Sequence, residues 1–419
     1  MLERVLTALR ERHTLRSHVW QSLANYTQQG FGLIFGIALA RLLTPSDFGV
    51  YGLALATVLL TLLPATWSLA PTLLADSGRS LNLYSTVTSF TWSIVAVRFV
   101  IVSSVVIWFF ATGRQKMGLL CILIGLAETF RELNNVQKGL LEGAGRFEQN
   151  FLSVVVNMIF CIVIVIPVCL LHRGPYILTL PGLGMVLTDF VIYRFFTGRS
   201  ILIRPTWNIP KSVFKSGFWL WLNSMSEVGL ARSDKWFVGK FLGDATLGHY
   251  SRAFGYAPLG FLALNSFATN PTISGLARHE MPAARLRLFL RTSAILLIGG
   301  LLNWLVFFPF ARQIVVGLFG HQWVPTVPIF RAFASLSLAY AVAYLPITAL
   351  YSQKRYHEVA VVRLAILIIF VVILLFYRQN LSAVFVAWLL QALLIGQGVI
   401  LLFRARSVFR ERAKISADA

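Results

Sequence analysis

The sequence predicts an all-α polytopic membrane protein, with about twelve transmembrane helices in two six-helix lobes related by a parallel pseudo-two-fold repeat. Three observations carry this. Hydrophobic residues make up 57% of the 419, only 13% are charged, and the mean hydropathy is +0.73, far too apolar for one soluble core. Apolar runs of roughly 20 residues, the length a helix needs to cross a bilayer, recur along the chain, and the period-2 alternation of a β-barrel is absent. Finally, Arg41-Leu-Leu-Thr-Pro-Ser-Asp-Phe-Gly-Val-Tyr51 returns without a gap, 199 positions later, as Lys240-Phe-Leu-Gly-Asp-Ala-Thr-Leu-Gly-His-Tyr250. Leu43/Leu242, Gly49/Gly248 and Tyr51/Tyr250 are identical, and both copies join the first and second helix of their half. Two like-built membrane halves are the plan of a transporter that moves one half against the other.

In chain order, residues 1–16 place Leu2, Val5, Leu6 and Leu9 on one side and arginines elsewhere, which predicts an amphipathic helix on the cytoplasmic membrane surface. The N-lobe occupies 17–196, with spans near 19–42, 48–74, 84–110, 117–136, 151–171 and 176–196. The first run is too long for a cleavable signal peptide. Residues 197–213, basic and carrying two prolines, form a cytoplasmic linker. The C-lobe occupies 214–403, with spans near 214–241, 247–267, 292–310, 329–350, 359–377 and 383–403, and 404–419 is a basic cytoplasmic tail. Both lobes then enter from the same side, which makes the repeat parallel. Loops are too short for a soluble catalytic domain, no phosphate-binding G-x-x-x-x-G-K-[ST] occurs, and no cofactor is implied. Cys121, Cys161 and Cys169 lie inside spans, so neither a disulfide framework nor a metal site is indicated.

A net charge of +21 would suggest nucleic acid for a soluble protein. With the N-terminus inside, however, the 37 Lys and Arg divide into 23 in cytoplasmic segments, six in external ones and eight within spans. That bias encodes topology, with both ends cytoplasmic, and attraction to anionic lipid. Nucleic acid is not an expected partner.

Charges within the spans are the candidate functional groups, because each costs on the order of 2.5–3.5 kcal/mol at a helix centre. Arg252, Arg312, Arg331 and Arg363 lie near predicted helix ends, where the head group can snorkel. Arg98 is close to the middle of the third span, so it either faces a cavity or pairs with an acidic neighbour. In the fourth span, Glu128, Glu132 and Asn135 share one face by i, i+4, i+7 spacing, with Arg131 beside them. That stripe lines a cavity or forms an interhelical network. The seventh span is the most polar: Asn223, Glu227 and Asp234 share a stripe, and Arg232 and Lys235 are one turn apart. Asn25, Gln28 and Gln29 are its weaker counterpart in the first span. Asp189 is alone in the sixth span, as a proton or cation site or as a counter-ion. The substrate-binding candidates are Arg98, Arg131, Arg232, Lys235, Asn25, Gln29, Glu128, Asn223 and Glu227, and the ion-coupling candidates are Asp189 and Asp234.

The segment Ala38–Ala54 resembles the junction of the first two helices in the polysaccharide flippases of the multidrug/oligosaccharidyl-lipid/polysaccharide exporter superfamily. Gly139-Leu-Leu-Glu-Gly-Ala-Gly-Arg-Phe147, Val316-Gly-Leu-Phe-Gly-His-Gln-Trp323 and Ser233-Asp-Lys-Trp-Phe-Val-Gly-Lys-Phe-Leu-Gly243 are similar to further segments of that family, in order and spacing, between about 20 and 355. The resemblance implies alternating-access transfer of a polyisoprenyl-diphosphate oligosaccharide across the bacterial inner membrane, with basic cavity residues attracting the anionic head group. It also implies polysaccharide polymerase or export proteins as partners. Three alternatives stay open: a cation-coupled multidrug or small-solute antiporter of the same superfamily, a major-facilitator transporter faintly suggested by Leu74-Ala-Asp-Ser-Gly-Arg-Ser80, and a polysaccharide polymerase or ligase, which the short external segments disfavour.

Overall fold

The computed structural model describes residues 2–65, 81–198, 211–261 and 282–415, together with 264, 265, 272 and 276. Side chains of the first helix are described from Val19 onward, so the amphipathic face expected over 1–16 lies outside this description. The Leu74–Ser80 segment and residues 199–210 of the linker do too.

The described residues are helical, and none is in a strand. They form α1 (Leu2–Leu42), α2 (Pro45–Thr61), α3 (Leu81–Ala111), α4 (Gln115–Gly143), α5 (Glu148–Leu171), α6 (Leu180–Thr197), α7 (Lys211–Leu242), α8 (Asp244–Tyr256), α9 (Pro282–Phe307), α10 (Ala311–Phe319), α11 (Thr326–Ser352), α12 (Tyr356–Phe376) and α13 (Ala383–Ile415). Seven of them, α3, α5, α6, α9, α11, α12 and α13, are long and apolar enough to cross a membrane. Helices α4 and α7 match them in length but each carries several charges, Glu128, Arg131 and Glu132 on α4 and Glu227, Arg232, Asp234 and Lys235 on α7. Large side chains such as Leu171, Phe195 and Phe376 are each more than three-quarters exposed. In water such surfaces would drive association, whereas lipid tails solvate them.

Helix α3 shows how polar side chains are accommodated. The hydroxyls of Thr88, Ser89 and Thr91 donate to the carbonyls of Tyr84, Ser85 and Val87 at 2.7–2.8 Å, so each is satisfied within its own helix. In α5 a π-turn at Cys161–Val165 sits just before Pro167, whose missing N–H opens the hydrogen-bond ladder there.

The chain divides into two compact units. The first comprises Met1–Leu43 and Thr57–Trp221, and the second Thr44–Ala56 and Leu222–Ala419. Helix α2 is therefore shared, and its N-terminal portion belongs with the second unit. A reciprocal cap starts α2. The Thr44 amide donates to Asp47 Oδ2 at 3.0 Å, and the Asp47 amide donates back to Thr44 Oγ1 at 3.3 Å, with Pro45 at the first helical position. The second copy of the repeat replaces Thr44 by Gly243, whose φ of +87° favours glycine.

The duplicated segments meet each other. A Cβ on Gly49 would stand 1.7 Å from the carbonyl oxygen of Asp244, and one on Gly248 would stand 1.9 Å from that of Pro45. Position 45 maps onto 244 and 49 onto 248 under the 199-residue shift, so each glycine admits the backbone of the other copy's first turn. Fully buried Trp323 lies against both, with its ring centre 5.6 Å from Phe48 and 5.5 Å from His249. Arg252 of α8, expected to snorkel, instead stacks its guanidinium 3.8 Å from the Phe48 ring.

Candidate functional site

Within the first unit, Arg98 on α3 is buried and fully engaged. Its Nε donates to the Ala65 carbonyl, Nη1 to the Glu128 carbonyl and Nη2 to Glu132 Oε1, each at 2.8 Å. The planar guanidinium thus ties α3 to α4 and to the turn after α2, as a single-point lysine could not. Of the two readings of Arg98, this geometry is the ion pair, and Glu132 is thereby drawn into an interhelical network. Glu128 faces Arg131 one turn on, at 2.8 Å, and Arg131 is substantially exposed. Beyond the expected span of α4, burial raises the Glu142 carboxyl above the usual carboxylate range, against the lowering pull of Lys138 at 3.8 Å.

A second polar group joins α4, α5 and α6. Asn134 Nδ2 donates to the Val186 carbonyl at 2.8 Å, Ser153 Oγ donates to Asp189 Oδ1, and Tyr193 donates to Asn150 Oδ1 at 2.8 Å. Asp189 thus has a hydroxyl partner and, among the described residues, no ion pair. Gln137, one turn on from Asn134, is fully buried with neither side-chain atom hydrogen-bonded. Sequence reading missed it, although its place on the α4 face that holds Asn134 was a usable signal. Asn25, Gln28 and Gln29 on α1 are exposed, and Gln28 Nε2 reaches Met185 Sδ at 3.4 Å.

In the second unit, α7 organises two clusters. Asp234, wholly buried, accepts from Tyr250 Oη at 2.9 Å and from Lys235 Nζ at 3.2 Å. Lys235 also donates to the Ala231 carbonyl at 2.9 Å and sits 3.7 Å from the centre of the Phe254 ring. Arg232, half-buried on the same helix, makes no ion pair among the described residues.

The other cluster lies two turns earlier on α7. Arg363 Nη1 donates to Glu227 Oε2 at 2.6 Å and to Asn223 Oδ1 at 3.1 Å, and Asn223 Nδ2 donates to Tyr351 Oη at 2.6 Å. Arg363 lies in the second turn of α12 and is buried, so it does not snorkel; the acid on α7 offers it a better partner than the interface would. The stripe of Asn223 and Glu227 on α7 was legible in the sequence, which counted both as substrate-binding candidates; the cation that meets them was not. Glu227 and Arg363 border a pocket among α7, α8, α11, α12 and α13. Among the described residues, no cluster of His, Cys, Asp or Glu is arranged to hold a metal ion.

Set against known proteins, residues 38–328 match the family of polysaccharide biosynthesis proteins. No curated protein sequence matches the chain. Among solved structures, the chain is similar to a MOP superfamily transporter from Pyrococcus furiosus, whose description reports reversed polarity of its binding pocket. The TM-score is 0.66 at 15% identity, over 96% of each chain. It is also similar to MATE in the bent conformation, with a TM-score of 0.64 at 14% identity over 97% of each chain. An outward-facing multidrug resistance MATE family transporter gives 0.62 at 14%, over 96% of each. At such identities the likeness is one of fold.

Proposed function

This chain belongs to the family of polysaccharide biosynthesis proteins and has the fold of MOP superfamily membrane transporters, and from that premise we propose that it is a flippase for a lipid-linked oligosaccharide. The cargo is a glycan on a polyisoprenyl diphosphate, carried from the cytoplasmic to the outer leaflet of the bacterial inner membrane by alternating access. The family match over 38–328 is the observation that carries this reading. The accessible cations refine it. Arg98 is buried in a pair that joins α3 to α4, and Lys235 is buried against Asp234 on its own helix, whereas Arg131 in the first unit and Arg232 in the second stay accessible within their own units, and to these we assign attraction of the diphosphate. The exposed amides of Asn25 and Gln29 are suited to hydroxyl groups of the cargo. The +21 net charge, read as cytoplasmic in its distribution, fits apposition to anionic lipid and to an anionic head group.

Deleting the gene tests the proposal. Surface polysaccharide is lost and lipid-linked oligosaccharide accumulates facing the cytoplasm, while sensitivity to cationic drugs is unchanged. Intact polysaccharide with heightened drug sensitivity would replace this reading by one of the alternatives above, a cation-coupled antiporter. Asp189, a buried carboxyl without an ion pair among the described residues, is the feature that favours that second reading and would be its coupling site; Asp234 is already spent on Lys235 and Tyr250.

A further inference from the structure

The second unit contains a pocket that its paired charges do not account for. It is partly open at its mouth and is lined from five helices. Phe254, Tyr340 and Tyr344 share its apolar walls with aliphatic side chains such as Leu230 and Leu394, and Glu227, Arg363 and Gln397 bring its charged and amide groups. Gln397 is the informative one. Its residue is 1% exposed, yet its Oε1 has no hydrogen-bond partner. Six positions earlier on α13, Gln391 is equally buried and fully used, donating to the Ala332 and Ala387 carbonyls and accepting from Ser335. A buried carbonyl left unpaired costs about 1–3 kcal/mol, so Gln397 Oε1 is open to a donor at the pocket. Glu227, by contrast, is half-exposed at the pocket, with one oxygen held by Arg363.

The chemistry of the lining selects among ligands. Glu227 and Arg363 neutralise each other, so neither a cation nor an anion enters without meeting a like charge held in place. A purely apolar ligand would leave Gln397 Oε1 unsatisfied. What remains is a neutral molecule with an apolar face and a rim of hydroxyls. We propose that this pocket is a sugar-ring subsite, in which the C–H face of one pyranose lies on the Tyr340 and Tyr344 rings and its hydroxyls donate to Gln397 Oε1 and Glu227. This inference rests on the flippase reading: the ring would be one unit of the carried oligosaccharide, recognised apart from its diphosphate. The Glu227–Arg363 pair then serves to hold a carboxylate oriented without leaving net charge in the site.

The test compares binding of two lipids to the purified full chain in nanodiscs. One is the lipid-linked oligosaccharide extracted from the source cells, and the other is the same polyisoprenyl diphosphate without sugar. The intact protein binds the glycosylated lipid at least tenfold more tightly. Gln397→Leu and, independently, Tyr344→Leu bring that ratio close to one and leave binding of the bare carrier unchanged; Tyr344→Phe, which keeps the ring, preserves most of the ratio. A ratio near one in the intact protein, a ratio unmoved by both leucine variants, or loss of both lipids together would each overturn the subsite while leaving the flippase reading standing. Failure of the intact protein to bind either lipid would overturn the flippase reading and the subsite with it.

Discussion

Arg98 donates three hydrogen bonds to three partners, two of them backbone carbonyls on different segments. A charge this engaged contributes through geometry as much as through Coulomb attraction. Arg98→Ala leaves Glu132 and two carbonyls without their donor in a poorly hydrated environment, a loss on the order of 3–5 kcal/mol. Arg98→Lys restores the charge but only one of the three directions. Thermal unfolding in detergent checks this: the alanine variant melts well below the parent and the lysine variant between them, and equal stability for all three would refute the bracing role. The sequence left Arg98 between a cavity and an acidic neighbour and counted it among the substrate-binding candidates. That Ala65 and Glu128 would offer carbonyls could not be read, because a backbone acceptor has no signature in the side-chain sequence.

Helices α2 and α8 meet through glycines because the 199-residue repeat brings the same four-residue spacing, Pro45 to Gly49 and Asp244 to Gly248, to both sides of one crossing. A methyl group at either glycine would overlap a carbonyl, and no rotamer relieves a clash with backbone. Small residues at matched spacing are how membrane helices approach closely. Gly49→Ala is therefore expected to force the two first turns apart. Thiol labelling of a cysteine at Ser46 speeds up at least severalfold in the Gly49→Ala background, and an unchanged rate would show that the crossing relaxes elsewhere. The repeat marked these segments as turns between helices, with the glycines allowing tight connections. Gly49 and Gly248 sit one turn into α2 and α8, and their role is contact between the copies.

The transport direction belongs to the whole molecule. An inside-negative potential favours outward movement of an anion by about 2.3 kcal/mol per charge per 100 mV, so the diphosphate cargo we propose needs no obligatory ion exchange to leave. In voltage-clamped proteoliposomes the flipping rate of the lipid-linked oligosaccharide rises with inside-negative potential and needs no ion gradient; a rate indifferent to voltage would refute this. Composition and apolar run length by themselves determined that the chain is an α-helical membrane protein, since lipid tolerates little else in so apolar a sequence, and the quoted motifs pointed to its family. The pairing of the buried charges was decided only by the tertiary structure. Arg363 looked like a snorkelling residue near a helix end, and became the partner of Glu227 and Asn223 because α12 runs beside α7. Gln397 carried no signal in the sequence at all. A pocket is made of side chains from helices more than a hundred residues apart, and only packing brings their polar atoms into one space.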